Sequence, residues 1–114
     1  MLKIFGISNC STVKKARAWL DENQIEYQFH DYKKSGVPED LLDVWIKQLG
    51  WETLVNQKGT TWRKLKPEQQ AKDEKSAKAL MTTSPSVIKR PLLAKGQKAL
   101  LLGFNEKEWA ETLL

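Results

Sequence analysis

The side chains in this sequence best suited to covalent or anion chemistry are one thiol and three guanidiniums. Cys10, in GISNCSTVKK, is the only cysteine, and it stands where an apolar run ends and a helical pattern begins. At such a place the free N–H groups and the positive end of the helix dipole favour an anion. That setting can bring a thiol pKa from about 8.5 into the range of roughly 3.5 to 7.5 and so raise the thiolate population at neutral pH. A lone cysteine can equally be a small buried residue. The polar neighbours Asn9, Ser11 and Thr12 argue for exposure, so the thiol is read as reactive, with its anion facing the amides that follow it.

The arginines are Arg17, Arg63 and Arg90. Arg17 lies on the same predicted helix as the thiol but is displaced along its axis. Six residues separate the two, which is not the spacing of a phosphate-cradling loop, and Arg17 reads as part of a solvated face. Arg63 follows a Gly-Thr-Thr segment in GTTWRKL, and Arg90 immediately precedes Pro91 in SVIKRP. A guanidinium offers a carboxylate or oxyanion two parallel hydrogen bonds, so either residue could hold an anionic ligand, or either could be surface charge. His30 is the sole histidine, at the end of a predicted strand, and reads as structural or exposed. With one histidine and one cysteine, no metal site is expected.

These residues need elements to position them. LKIFGI reads as a buried strand, and from Ser11 to Asn23 the pattern turns helical, with Val13, Ala16, Trp19 and Leu20 forming one stripe. IEYQFHDY alternates from Ile25 through Tyr27 and Phe29, a second strand that completes a βαβ unit with parallel strands. PEDLLDVWIKQLG is a helix entered at Pro38 and closed by Gly50. WETLVNQKGTTWRKL reads as irregular, and KPEQQAKDEKSAKALMTTSP as one or two short helices. LLAKGQKALLLGF is a hairpin around Lys95-Gly96, and Asn105 caps a closing helix. The five tryptophans fall mostly on apolar faces, with Trp62 beside Arg63 the one closest to candidate chemistry.

The expected architecture is a single α/β domain over residues 1–114. One mixed four-stranded sheet is drawn from about 1–35 and 85–114, with a helical insert over about 37–84. The formal net charge of +5 is spread through interleaved lysines and acids without a basic block or a DNA-binding motif, so direct nucleic-acid binding is not expected. No run approaches the roughly 20 apolar residues of a membrane span. The beginning of the chain lacks the pattern of a signal peptide. A cytoplasmic monomer is expected. A single cysteine forbids an intramolecular disulfide.

Four stretches in order, GISNCSTVKKARAWL, DYKKSGVP, GTTWRKL and SPSVIKRPLL, resemble the arsenate reductase-related family over nearly the whole chain. The resemblance implies a bacterial protein with a thioredoxin-like (glutaredoxin-like) fold carrying an inserted helical subdomain. It implies Cys10 as nucleophile, Arg63 and Arg90 at the anion, and Pro91 as a cis-proline. The family's third active-site arginine corresponds to Gly103 here, which weakens the case for arsenate. CSTVKKA resembles the branch thought to be glutathione-dependent thiol reductases. With Val13 where the RNA polymerase-binding regulators of the family often have a second cysteine, no Cys-x-x-Cys switch exists.

The expectation is therefore a thiol–disulfide oxidoreductase with no bound cofactor. Glutathione is its co-substrate, and glutathione or a glutaredoxin-type partner resolves the bond that Cys10 makes. Asn9, Ser11 and Thr12 stand beside the arginines at the ligand. The alternatives are a glutaredoxin-coupled arsenate reductase and a non-catalytic regulator that docks on the RNA polymerase α subunit.

Overall fold

A computed structural model describes residues 1–114. Four strands, β1 (Leu2–Gly6), β2 (Tyr27–Asp31), β3 (Leu92–Lys95) and β4 (Lys98–Leu102), form one sheet in the order β2-β1-β3-β4. β1 pairs parallel with β2 and antiparallel with β3, and β3 and β4 form an antiparallel hairpin. This is the mixed four-stranded, thioredoxin-like sheet expected from the sequence. The parallel pair is joined by α1 (Ser11–Glu22), and α7 (Glu106–Leu113) ends the chain.

Between β2 and β3 lie α2 (Tyr32–Ser35), α3 (Glu39–Leu49), α4 (Trp51–Leu54), α5 (Thr60–Lys64) and α6 (Glu74–Thr83), with two short 3-10 turns at Pro67–Gln69 and Pro85–Val87. The stretch expected to be irregular thus holds two short helices. The insert also contributes one isolated antiparallel bridge, Val55 to Ile88. Helix α3 starts after Pro38 rather than with it: Pro38 is the N-cap, and Gly50 at φ 85° closes the helix.

Side chains alternate across the sheet with the period of two that a strand dictates, except in β4, where a register shift against Leu93 and Ala94 puts Ala99 and Leu101 on opposite faces. Ile4, Leu93 and Leu101 face α1 and α7, where they pack with Ala16, Trp19, Leu20 and Trp109. Phe5, Leu92, Ala94 and Ala99 face the insert, packing with Trp45, Leu42, Leu54 and Met81 among others. Each large side chain fully buried in this way contributes about 1.5–3 kcal/mol. The insert is also fastened to the sheet edge by polar groups. The Gln48 amide donates to Ala99 O at 2.7 Å and accepts from Ala99 N at 3.0 Å, taking the place of a neighbouring strand residue, and Trp45 Nε1 donates to Gln97 O at 3.1 Å. No helix is long and apolar enough to cross a membrane.

Candidate active site

Cys10 is the N-cap of α1, with φ −82° and ψ 124°, directly beyond the carboxyl end of β1. Its N–H donates to Ile7 O and its C=O accepts from Lys14 N, so its backbone is held on both sides. Two further features fix the β1–α1 turn. Asp31, buried at the end of β2, accepts from Ser8 N at 3.2 Å and from Lys33 N at 2.9 Å. Gly6 lets the first turn of α1 lie close on the strand: a Cβ there would come within 2.7 Å of a Val13 methyl carbon.

The thiol is half-buried. Burial is the largest single influence on it and pushes its pKa up. The N–H of Val13, the side chain of Arg90 and the N–H of Thr12 pull the other way, with the Arg90 charge adding to them. The balance leaves the thiol below its ordinary value. These donors favour the thiolate over the resting thiol, which makes no capping hydrogen bond of its own.

Cys10 and Thr12 form one side of a cleft of about 410 Å³. Lys89 and Arg90, from the segment entering β3, and Asn56, from the loop after α4, form the second side. Residues 102–105, at the end of β4 and the turn into α7, close it. The Arg90–Pro91 peptide bond is cis. Arg90 is half-buried, and its Nη1 donates to Ser86 O at 2.8 Å and Ile88 O at 3.1 Å. Pro91 O accepts from Gly103 N at 2.7 Å, which ties the β4 end to the proline, and Trp109 Nε1 donates to Gly103 O at 3.0 Å.

The candidate residues separate into two groups. Cys10, Thr12 and Arg90 meet at the cleft. Asn9 and Ser11 are exposed beside it but do not line it. Arg63 is not brought to the thiol, contrary to what the resemblance implies: it is exposed on α5, outside the cleft, and is not among the groups acting on Cys10. The cause is local. Trp62 takes the inward face of α5, and the next helical position is turned by about 100° from it. Arg17 is not simply solvated either. Its guanidinium lies 4.1 Å from the Phe29 ring centroid, and its Nε donates to Tyr27 Oη at 3.4 Å. The His30 ring packs 5.1 Å from Phe5 and its Nε2 donates to Gly36 O at 2.7 Å, a structural role.

Asn56 and Lys89 escaped the sequence reading. Both are set by the Val55–Ile88 bridge and its flanking bonds, Asn56 N to Val87 O and Lys89 N to Leu54 O, each 2.8 Å. The one local sign was Gly59, where a Cβ would come within 2.8 Å of the Asn56 amide nitrogen.

The profile of the ArsC family matches residues 5–112. The solved structure of the YFFB protein superposes with a TM-score of 0.92 at 44% identity, with 100% of both chains covered. An arsenate reductase (ArsC) related protein from Brucella melitensis is 43% identical with a TM-score of 0.79, covering 96% of this chain and 92% of its own. The global transcriptional regulator Spx of Streptococcus agalactiae is 27% identical over 110 residues, 95% of this chain and 80% of its own length.

Proposed function

The chain belongs to the ArsC family, and on that premise we propose that it is a thiol–disulfide oxidoreductase that works with glutathione through one cysteine. The observation that carries this reading is the thiol itself. Cys10 lies at a helix N-terminus, half-exposed in a cleft, with two amides and one guanidinium lowering its pKa.

Cys10 thiolate attacks the glutathione sulfur of a mixed disulfide in line with the S–S bond. A Cys10–glutathione disulfide forms, and the substrate thiolate departs and takes a proton from solvent. The chain has no second cysteine, so a glutathione thiolate, or that of a glutaredoxin-type protein, attacks next. That step releases a disulfide and returns Cys10 as thiolate. Two electrons pass from the external thiols to the substrate. Arg90 and the Thr12 and Val13 amides lower the cost of the anion that begins and ends the cycle. Such a cycle depends on a reducing glutathione pool, which fits a cytoplasmic protein.

Glutathione-linked reduction of a glutathionylated peptide, followed through NADPH and glutathione reductase, tests this. Turnover by the native protein and none by Cys10→Ser is expected. Native turnover no higher than that of the variant overturns it. Arsenate supplied as the oxidant in the same assay separates the arsenate-reducing alternative.

A second reading, a regulatory module acting by binding RNA polymerase, is favoured by the likeness to Spx along nearly the whole chain. It predicts that Cys10→Ala keeps partner binding in a protein without thiol turnover.

A further inference from the structure

Lys89 and Arg90 are consecutive, yet they face the cleft differently. Arg90 is tied down through Nη1 to two carbonyls and acts on the thiol. Lys89 is anchored by its backbone N–H alone, its side chain is exposed, and it pairs with no acid; the one ion pair in the structure is Lys78 with Asp43. It is not among the groups acting on Cys10. Its Cε lies 3.8 Å from where a Cβ on Gly103 would stand. Gly103, at φ +76°, thus leaves open the volume that the lysine stem runs beside. A longer side chain at 103 would compete with Lys89 for it. The cleft therefore carries two cations, and no carboxylate lines it.

We propose that Lys89 is the specificity determinant of this cleft. Its ammonium binds a carboxylate of the disulfide that Cys10 attacks, so that anionic disulfides, glutathione mixed disulfides among them, are selected over neutral ones. The proposal rests on the thiol–disulfide reading above and supplies its ligand class. Arg90 serves the attacking sulfur and Lys89 the molecule being attacked. A carboxylate suits this arrangement better than a multiply charged tetrahedral oxyanion. The guanidinium fork of Arg90 is partly spent on protein carbonyls, and an ammonium is a single point charge. Leu102 and Phe104 form an apolar stretch of wall that gives a bare oxyanion nothing but can cover the chain of a larger thiol compound. The cleft volume of about 410 Å³ lies within the roughly 300–1,000 Å³ of small-molecule sites.

The test compares two disulfide probes on the reduced protein, the dianionic dithiobis(nitrobenzoate) and the neutral dithiodipyridine. In each case Cys10 thiolate forms a mixed disulfide and expels one aromatic thiolate, which is read by its absorbance without any added reductant. The quantity of interest is the ratio of the anionic to the neutral rate constant. Lys89→Gln is expected to lower that ratio by about 3-fold, the size of one partly exposed charge interaction. Lys89→Glu should lower it further and Lys89→Arg should largely keep it, with the differences shrinking as salt is added. An unchanged ratio in Lys89→Gln, or both constants falling by one factor, overturns the proposal. If the ratio responds as expected but glutathione-linked turnover is absent, the anion site stands and the proposed function falls. Turnover with an unresponsive ratio has the opposite meaning.

Discussion

Arg90 carries two duties, and replacing it with methionine separates them from the packing of the stem. Nη1 of Arg90 donates to Ser86 O at 2.8 Å and Ile88 O at 3.1 Å, in the segment that leads into Pro91. Hydrogen bonds from a charged donor are worth about 1.5–3 kcal/mol each, but water can replace part of that at a half-exposed site. A net cost of about 1 kcal/mol per bond gives roughly 2 kcal/mol for Arg90→Met. In a chain of this length that is a fall in Tm of about 8 °C, at about 4 °C per kcal/mol. The second effect is on the thiol. With the guanidinium gone, burial is opposed only by the Thr12 and Val13 amides, so the pKa of Cys10 rises. The rate of alkylation, which follows the thiolate, shifts to higher pH. The sign of the stability change follows. A thiol lowered on folding means that the unfolded chain binds more protons between the two pKa values, so native stability rises with pH across that window. Arg90→Met narrows the window from its low side. Arg90→Lys keeps a charge but loses the fork, and should give a smaller shift of the alkylation profile with nearly the full loss of Tm. An unshifted profile in Arg90→Met would refute the electrostatic role, and an unchanged Tm would refute the structural one.

Two further substitutions test the supports of the site. Burial works against the Asp31 carboxylate, but the N–H of Lys33 and the hydroxyl and N–H of Ser8 outweigh it, and its pKa lies below the ordinary 3.8. Its stabilisation is whole above about pH 4 and is lost as pH falls through the lower folded value. The gap in urea midpoint between native protein and Asp31→Asn should therefore be largest near neutrality and close on acidification; a constant gap would mean that the charge is not what matters. Tyr32 is buried and its hydroxyl has no partner, while burial drives its pKa up. Tyr32→Phe should leave stability unchanged or raise it by up to about 1 kcal/mol, since an unpaired buried polar group is removed. A loss larger than that in denaturant titrations would show that the hydroxyl is hydrogen-bonded.

Where periodicity is long enough to register, the fold could be read from the sequence. The stripe Val13, Ala16, Trp19 and Leu20 is the buried face of α1, and Asn105 caps α7 by accepting from Glu108 N at 3.0 Å. Elements that failed to register are short or end in a turn. α4 and α5 bury one residue each, Leu54 and Trp62, and a single buried position has no period. β2 begins at Tyr27 although the alternation starts at Ile25, because Ile25 N–H is spent on Leu20 O in closing the helix exit. The same limit governs the site. Cys10 could be singled out because a strand end and a helix start are local events. Only the family resemblance places Arg63 at the anion; on α5 it follows the inward Trp62, is turned away from that face and is exposed outside the cleft. Asn56 and Lys89 left no local pattern, since a bridge between distant segments sets them.

The position of Gly103 then takes a different meaning from the one its sequence suggests. Read against the family, it is a missing cation and a loss of anion binding. In the structure, a Cβ at this position would stand 3.8 Å from Lys89 Cε, and the second cation lining the cleft comes from that neighbouring segment instead. The exchange does not conserve chemistry. A fork that could grip a tetrahedral oxyanion is replaced by one flexible charge beside an apolar wall. With Arg63 turned to solvent as well, a single guanidinium remains near the sulfur, and part of it is committed to backbone carbonyls. One guanidinium, acting with the Val13 and Thr12 amides, suffices to lower the Cys10 thiol. Holding a multiply charged oxyanion in line for attack asks for several donors at once. The count of donors therefore favours a disulfide as the oxidant: it brings little charge to the reacting atoms and can place its carboxylate further along the cleft, where the lysine waits.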